Sequence, residues 1–206
     1  MHVLLINGSP HEKGCTYAAL REVAEQLEAD GVTTQIFHIG KAPVGGCVGC
    51  GGCARTGKCV FGGPVNDALP LVQTADGVVF GAPVHYAEPA ASMLGFMHRL
   101  SMAGGQYLRH KPAAVVTSAR RAGTTTALDA LAKVPEFFEM PLVGSTYWPM
   151  VHGSNANDAA KDAEGMQIMR NLGRNMAWLL HCIEAGQANG IEPPAAETEN
   201  RTNFIR

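Results

Sequence analysis

The stretch Met1-His-Val-Leu-Leu-Ile-Asn-Gly-Ser-Pro-His-Glu-Lys-Gly-Cys-Thr16 decides the fold. Val3, Leu4, Leu5 and Ile6 form a continuous apolar run, which suits a central parallel strand covered on both faces. Asn7, Gly8, Ser9 and Pro10 end the strand with turn chemistry. From Thr16 to Asp30 the apolar residues Leu20, Val23, Ala24 and Leu27 recur at helical spacing. A loop of small and hydroxyl residues between strand and helix leaves N–H groups pointing outward at the positive end of the helix dipole. Such a place binds phosphate. The loop carries neither G-x-G-x-x-G nor Gly-Lys-Ser/Thr, so the dinucleotide fingerprint and the Walker A loop are both excluded. A monophosphate, such as the tail of FMN, remains. One plainer alternative stays open: Ser9 or Thr16 as an ordinary helix N-cap.

Working outward, Thr33 to Ile39 reads as a second strand, alternating and β-branched, and so nearer a sheet edge. Gly40 to Gly63 is a long Gly- and Cys-rich loop, of a length that is functional or disordered in most proteins. Pro64 to Thr74 is a short helix with Asn66 or Asp67 near its start, and Pro70 is placed close enough to be tolerated in a first turn. Asp76 to Gly81 is a third, buried strand that empties into a loop from Ala82 to Pro89, followed by a helix from Ala90 to Met102. Ala113 to Ser118 is the fourth strand. It ends in a small-residue turn, and a helix covers Thr126 to Phe138. Pro141 to Trp148 is a fifth, less regular strand. Asp158 to Glu184 is the longest helix, with Ile168, Leu172, Leu179 and Ile183 as its apolar stripe, and the chain from Ala185 looks irregular.

Strands alternating with helices imply a parallel sheet with helices on both faces. Five such strands predict a flavodoxin-like three-layer α/β/α sandwich of strand order 2-1-3-4-5. Its ligand would lie at the carboxyl edge, where strands 1 and 3 diverge. The small-residue loops after strands 1, 3 and 4 converge on that edge. The expected organisation is a single unit over residues 1–190, with the Cys-rich loop as an insertion at 40–63 and an irregular tail at 191–206.

The 206 residues suit one domain with a sizeable core. A formal net charge of −2 and the lack of a long basic run argue against nucleic acid or an anionic membrane as main partner. No apolar stretch approaches the roughly eighteen residues of a membrane span. The chain enters its first strand without a leader pattern, so the cytoplasm is the expected location.

Six cysteines are present, and Cys47, Cys50, Cys53 and Cys59 fall within thirteen residues. That clustering points to metal or redox chemistry more than to a disulfide scaffold. Three cysteines at x2 spacing can wrap one iron-sulfur cluster from a short loop, and a fourth after x5 can close it. Gly45, Gly46, Gly49, Gly51 and Gly52 remove side chains that would crowd it. Following strand 2, the loop is expected on the same edge as the phosphate site. Two other readings stay open. Zinc also takes four thiolates, although its usual signature is two separated C-x-x-C pairs, and the thiols could be free or redox-active.

Cys15, at a helix start, reads either as a reactive thiol or, preferably, as a small loop residue. Cys182, on the long helix, is expected in the core. His98 and Arg99 suit a surface or a subunit interface better than chemistry. Tyr147, Trp148 and Met150 suit a core cluster, a ligand mouth or a dimer interface. His85 could donate a proton near neutral pH, but packing is the preferred reading. No residue stands out as a catalytic acid or base.

Gly8-Ser-Pro-x-x-x-Gly-x-Thr16, Gly81-Ala-Pro-Val-His-Tyr86 and Ser118-Ala-Arg-Arg-Ala-Gly123 together resemble the flavodoxin-like NADPH-dependent FMN reductase family. The block Cys47-x2-Cys50-x2-Cys53-x5-Cys59 and the ending Thr202-Asn-Phe-Ile-Arg206 are similar to its iron-sulfur flavoprotein branch. The resemblance implies one FMN per subunit. Ser9, Gly14, Cys15 and Thr16 would hold its phosphate, and Pro83, Val84, His85 and Tyr86 would lie along the ribityl chain and ring. Ser118, Arg120, Arg121 and Gly123 would contact the ring and its carbonyl edge. It also implies a possible 4Fe–4S cluster on Cys47, Cys50, Cys53 and Cys59. Partners would be NAD(P)H or a redox protein as electron donor and a small molecule or protein as acceptor, in a homodimer or homotetramer. Two positions depart from the family pattern. His11-Glu-Lys13 stands where relatives often carry Arg, so Glu12 is expected to face solvent, and His85 precedes the Tyr. With no separate dinucleotide domain, NAD(P)H would stack on the flavin and leave before the second substrate, giving ping-pong kinetics.

Overall fold

The apolar run that opens the chain becomes strand β1 (His2–Asn7), and Val3 through Ile6 are wholly buried. The computed structural model describes residues 1–202, so the C-terminal motif from Asn203 onward lies outside the described residues. β1 pairs in parallel with β2 (Thr33–His38) on one side and β3 (Gly77–His85) on the other. β5 (Ala113–Ala119) and β6 (Met150–His152) complete the order β2-β1-β3-β5-β6. The two-residue β4 (Glu88–Pro89) folds back antiparallel on β3, outside this path. Leaving β4 aside, the order is the expected 2-1-3-4-5, and β2 is at an edge as its alternation predicts.

The period-two alternation of a strand sends each strand's residues to two separate cores. Leu4, Ile6, Val78, Phe80, Ala82, Ala113 and Val115 pack with α3 (Pro64–Thr74), α4 (Ala91–Gly104) and α5 (Thr124–Phe137). Val3, Leu5, Val79, Ala114 and Val116 pack with α1 (Cys15–Ala29), α6 (Ala156–Ala159) and α7 (Ala163–Ala188). Both faces are covered, which is why the strands read as continuous apolar runs. Among the described residues no helix is long and apolar enough to cross a membrane.

Several boundaries depart from the sequence reading, each for a local reason. The fifth strand is Met150–His152, not Pro141–Trp148, which contributes only a bridge between Leu142 and Ala113. Pro141 and Pro149 lack an N–H, and the intervening chain is tied to α7 through Ser145 Oγ donating to Ile168 O and Asn175 donating to Gly144 O. The long helix is broken at residues 160–162. Asn155 Oδ1 caps α6 by accepting from Asp158 N, and Asp162 Oδ1 restarts the chain as α7 by accepting from Gly165 N. The buried face of α7 runs through Met166, Met169, Leu172, Met176, Ala177 and Leu180, while Leu179 and Ile183 are only half-buried. α7 continues to Ala188, past the expected end. Pro64 occupies the first turn of α3, so Pro70 lies in the helix interior, on its exposed side. β3 runs on to His85 instead of ending at Gly81, and a short helix α2 (Cys53–Thr56) interrupts the cysteine loop. Cys182 is exposed, not core, and Arg99 is buried, not at the surface.

Candidate functional site

The carboxyl ends of β1, β3, β5 and β6 surround a cavity of 820 Å³, a size suited to a cofactor. Asn7, wholly buried at the end of β1, shapes its first wall. Its Oδ1 accepts from Ser9 N at 3.0 Å, and its Nδ2 donates to Glu12 O at 2.9 Å. Ser9 Oγ then accepts from His11 N at 3.1 Å, and His38 Nε2 lies 2.7 Å from Ser9 O. Gly8 is required here because a Cβ would sit 2.6 Å from Met93 Sδ. The chain turns into α1 at Gly14 with no side-chain cap and no acidic residue in the first turn. Neither Ser9 nor Thr16 serves as the N-cap: Thr16 Oγ1 pairs with Ser118 Oγ at 2.9 Å, tying α1 to the end of β5. The positive end of α1 therefore opens on the cavity, with Lys13, Lys41 and Arg120 also in its lining. Uncapped N–H groups, cations and cavity size together fit a phosphate-bearing ligand.

Ser9, Gly14, Cys15, Thr16, Pro83, Val84, Ser118 and Arg120 all line this cavity. His85, Tyr86, Arg121 and Gly123 stand outside its lining. His85 and Tyr86 belong to the β3–β4 hairpin, whose turn places Tyr86 and Ala87 at φ of 53° and 64°. Two successive left-handed residues make the tight turn that matches strand twist, usually built from Asn and Gly. Tyr86 is fully exposed at its tip. Gly123, at φ 92°, lies beneath this hairpin, where a Cβ would come 2.7 Å from Ala87 Cα. Arg121 O faces His152 Nε2 at 3.1 Å. Glu12 is exposed, but it does not leave the site as expected: it is part of the cavity lining beside Lys13. Burial pushes the Cys15 thiol up; its own backbone N–H opposes this, and the charge of Asp158 adds to it. Cys15 Sγ donates to Gly153 O at 3.4 Å, so it is a wall residue held as a thiol.

Sequence reasoning missed Asn7, His38, Lys41 and the segment Gly153–Ala156 as parts of this wall. The last was hidden by the displaced fifth strand. Its signal was present as Asn155-x-x-Asp158, a helix-start pattern directly after a strand.

The four clustered cysteines line a second, small hollow of 20 Å³ with Val48, Gly51, Val60, Phe61, Arg99 and Met102. Cys47 and Cys50 are exposed, while Cys53 and Cys59 are half-buried against α3 and α4. Cys53 Sγ donates to Met102 O at 3.2 Å. Asn66 grips Cys59 twice, accepting from its N–H at 2.8 Å and donating to its O at 2.9 Å. Arg99 Nε donates to Cys59 Sγ at 3.2 Å. Among the described residues no three His, Cys, Asp or Glu side chains are gathered closely enough to hold a single metal ion. The donor set, four thiols lining one hollow beside a buried cation, is one that an iron-sulfur cluster would accept. Such a cluster spreads its ligands further apart than one ion does.

Comparison with known proteins agrees with this geometry. Residues 1–155 match the family model described as NADPH-dependent FMN reductase. An iron-sulfur flavoprotein of Methanocaldococcus jannaschii is 28% identical over 193 residues, covering 89% of this chain and 100% of its own. The structure of RosB with bound 8-demethyl-8-formylriboflavin-5'-phosphate aligns with a TM-score of 0.68 at 12% identity, covering 100% of this chain and 94% of that one. A flavodoxin from the domain Archaea aligns with a TM-score of 0.60 at 14% identity, covering 88% and 99%. The two solved structures establish a flavodoxin-like fold.

Proposed function

The chain belongs to the NADPH-dependent FMN reductase family, and on that footing we propose that it is an FMN-dependent oxidoreductase coupling a flavin to a 4Fe–4S cluster. The observation that carries the reading is the pairing of two sites: the cavity over the uncapped start of α1, and the four-thiol hollow in the loop after β2. FMN would supply two-electron chemistry in the first site and the cluster one-electron chemistry in the second.

The chain's own residues have definite tasks in this reading. The N–H groups at the start of α1, braced by Asn7 and Ser9, hold a phosphate, and Lys13 and Lys41 offset its charge. Thr16 and Ser118 lock α1 to β5, which keeps the cavity wall rigid. Pro83 and Val84 offer a flat apolar surface, and Arg120 brings a fixed positive charge to the same cavity. Cys47, Cys50, Cys53 and Cys59 are the metal ligands. NAD(P)H would be one electron source. A second reading, an electron carrier without its own substrate, draws support from the apolar side chains around the thiols: Val48, Val60, Phe61 and Met102 are all more than half exposed. Such a rim suits contact with a redox protein.

The test is the ultraviolet-visible spectrum of anaerobically purified protein, with iron and acid-labile sulfide assayed on the same sample. Flavin bands, a broad shoulder and about four iron per chain are expected. Flavin without iron would reduce the reading to an FMN reductase with free thiols, and zinc without iron would make the loop structural. Cys50→Ser should remove the iron and leave the flavin bands. Stopped-flow mixing with NAD(P)H then separates enzyme from carrier, because slow flavin bleaching would favour the carrier.

A further inference from the structure

We infer that Arg99 is the built-in counter-ion of the cysteine hollow: its buried guanidinium, bonded to Cys59 Sγ, raises the reduction potential of the cluster held there. This rests on the cluster reading above and adds to it a residue outside the cysteine motif.

Arg99 is on α4 and is 8% exposed. A guanidinium stays charged at any working pH, and a buried charge is normally paired. Yet no ion pair among the described residues includes Arg99. Its polar contacts are Cys59 Sγ, reached by Nε at 3.2 Å, and Gly62 O, reached by Nη2 at 2.8 Å. The ring of Phe61 lies 5.7 Å from its Cζ and gives it a cation–π contact, which brings no full negative charge. A protonated thiol is a weak acceptor and carries no charge to balance a cation. A metal-bound thiolate supplies both. The arrangement is therefore complete only when the sulfur it faces is anionic.

The geometry also holds the contact in place. Asn66 pins the backbone of Cys59, and Gly62 O fixes the outer nitrogen of the guanidinium, so neither partner is free to turn away. Reducing the cluster adds one electron to an assembly already made anionic by four thiolates. A fixed cation beside one of those sulfurs stabilises the added charge more than it stabilises the oxidised form. Hydrogen bonds to ligand sulfurs shift cluster potentials for this reason.

The experiment compares parent, R99M and R99K as full-length, anaerobically reconstituted protein. It follows the reduced cluster by electron paramagnetic resonance and the flavin by absorbance in one dithionite titration. In R99M the cluster midpoint should move to more negative potential while the flavin midpoint stays put, and R99K should fall between. Iron release to a chelator should be faster in R99M than in the parent. An unchanged cluster midpoint in iron-loaded R99M overturns the inference and leaves the cluster reading intact. Should R99M retain no iron while R99K does, the need for positive charge is upheld; loss of iron from both overturns it. A parent that binds no iron overturns the cluster reading and this inference together.

Discussion

The loop after β1 and the loop after β2 both follow parallel strands that end side by side, at Asn7 and His38, yet they are held in opposite ways. The first is short and cross-braced. Buried Asn7 grips it at both ends, Ser9 accepts from inside it, and His38 meets it from the neighbouring strand. The second spans residues 40–63, is mostly exposed, and is held only at separate points: near its start, where buried Val44 bonds to Ser92 of α4, and late, where α3 and α4 reach Cys53 and Cys59. The difference follows from what each would bind. A phosphate is recognised by N–H groups that must already be aimed, so its loop is built rigid. A cluster brings its own bonds to sulfur, and those bonds can order a loop that the protein alone leaves half-anchored.

The sharpest way to break this comparison is Asn7→Ala. It strands Ser9 N without its partner in a buried wall, at a cost of about 1–3 kcal/mol, and also removes the tie to Glu12 O at the exposed end of the loop. The denaturant midpoint should fall accordingly, and FMN affinity should drop by about tenfold for each 1.4 kcal/mol lost from the bound loop. If both stay at parent values, the first loop is not braced from within.

Gly95→Ala probes the second loop from beneath. A Cβ there would lie 2.4 Å from Val44 O and 2.9 Å from Gly45 O, so the start of the cysteine loop must lift off α4. Overpacking of this kind costs about 1–3 kcal/mol. Iron content should fall while flavin content holds, measured on one purified sample. Parallel loss of both would mean that the loops are mechanically one piece.

The smallest effect concerns Cys15, whose raised pKa makes it a wall thiol. Its alkylation by iodoacetamide, followed by mass spectrometry, should need higher pH than that of exposed Cys182. A raised folded-state pKa means that its contribution to stability is whole below the unfolded thiol's pKa and is lost as pH rises through the folded value. Cys15→Ala should accordingly lower stability at neutral pH, where the contribution is whole, and flatten the alkaline part of the stability profile.

Much of this was legible in the chain itself. The apolar runs of β1, β3 and β5 announced strands buried on both faces, and their alternation with helices determined the parallel sheet and its edge. The three spacings among the four clustered cysteines marked the loop that brings them to one hollow. These features are local: a run of apolar residues or a spacing between thiols carries its meaning without knowledge of what lies across the fold. Tertiary structure decided the rest. Arg99 looked like a surface residue because charge normally seeks water, and only the packing of α4 against the cysteine loop buries it. Asn7 looked like turn chemistry, and only the chain folding back makes it the brace of a cavity wall. Gly153–Ala156 joined that wall because Pro149 and the ties to α7 moved the last strand beyond where its residues predicted it. A side chain's partner distant in sequence is set by the sum of packing across the whole molecule, and no short window of sequence contains that sum.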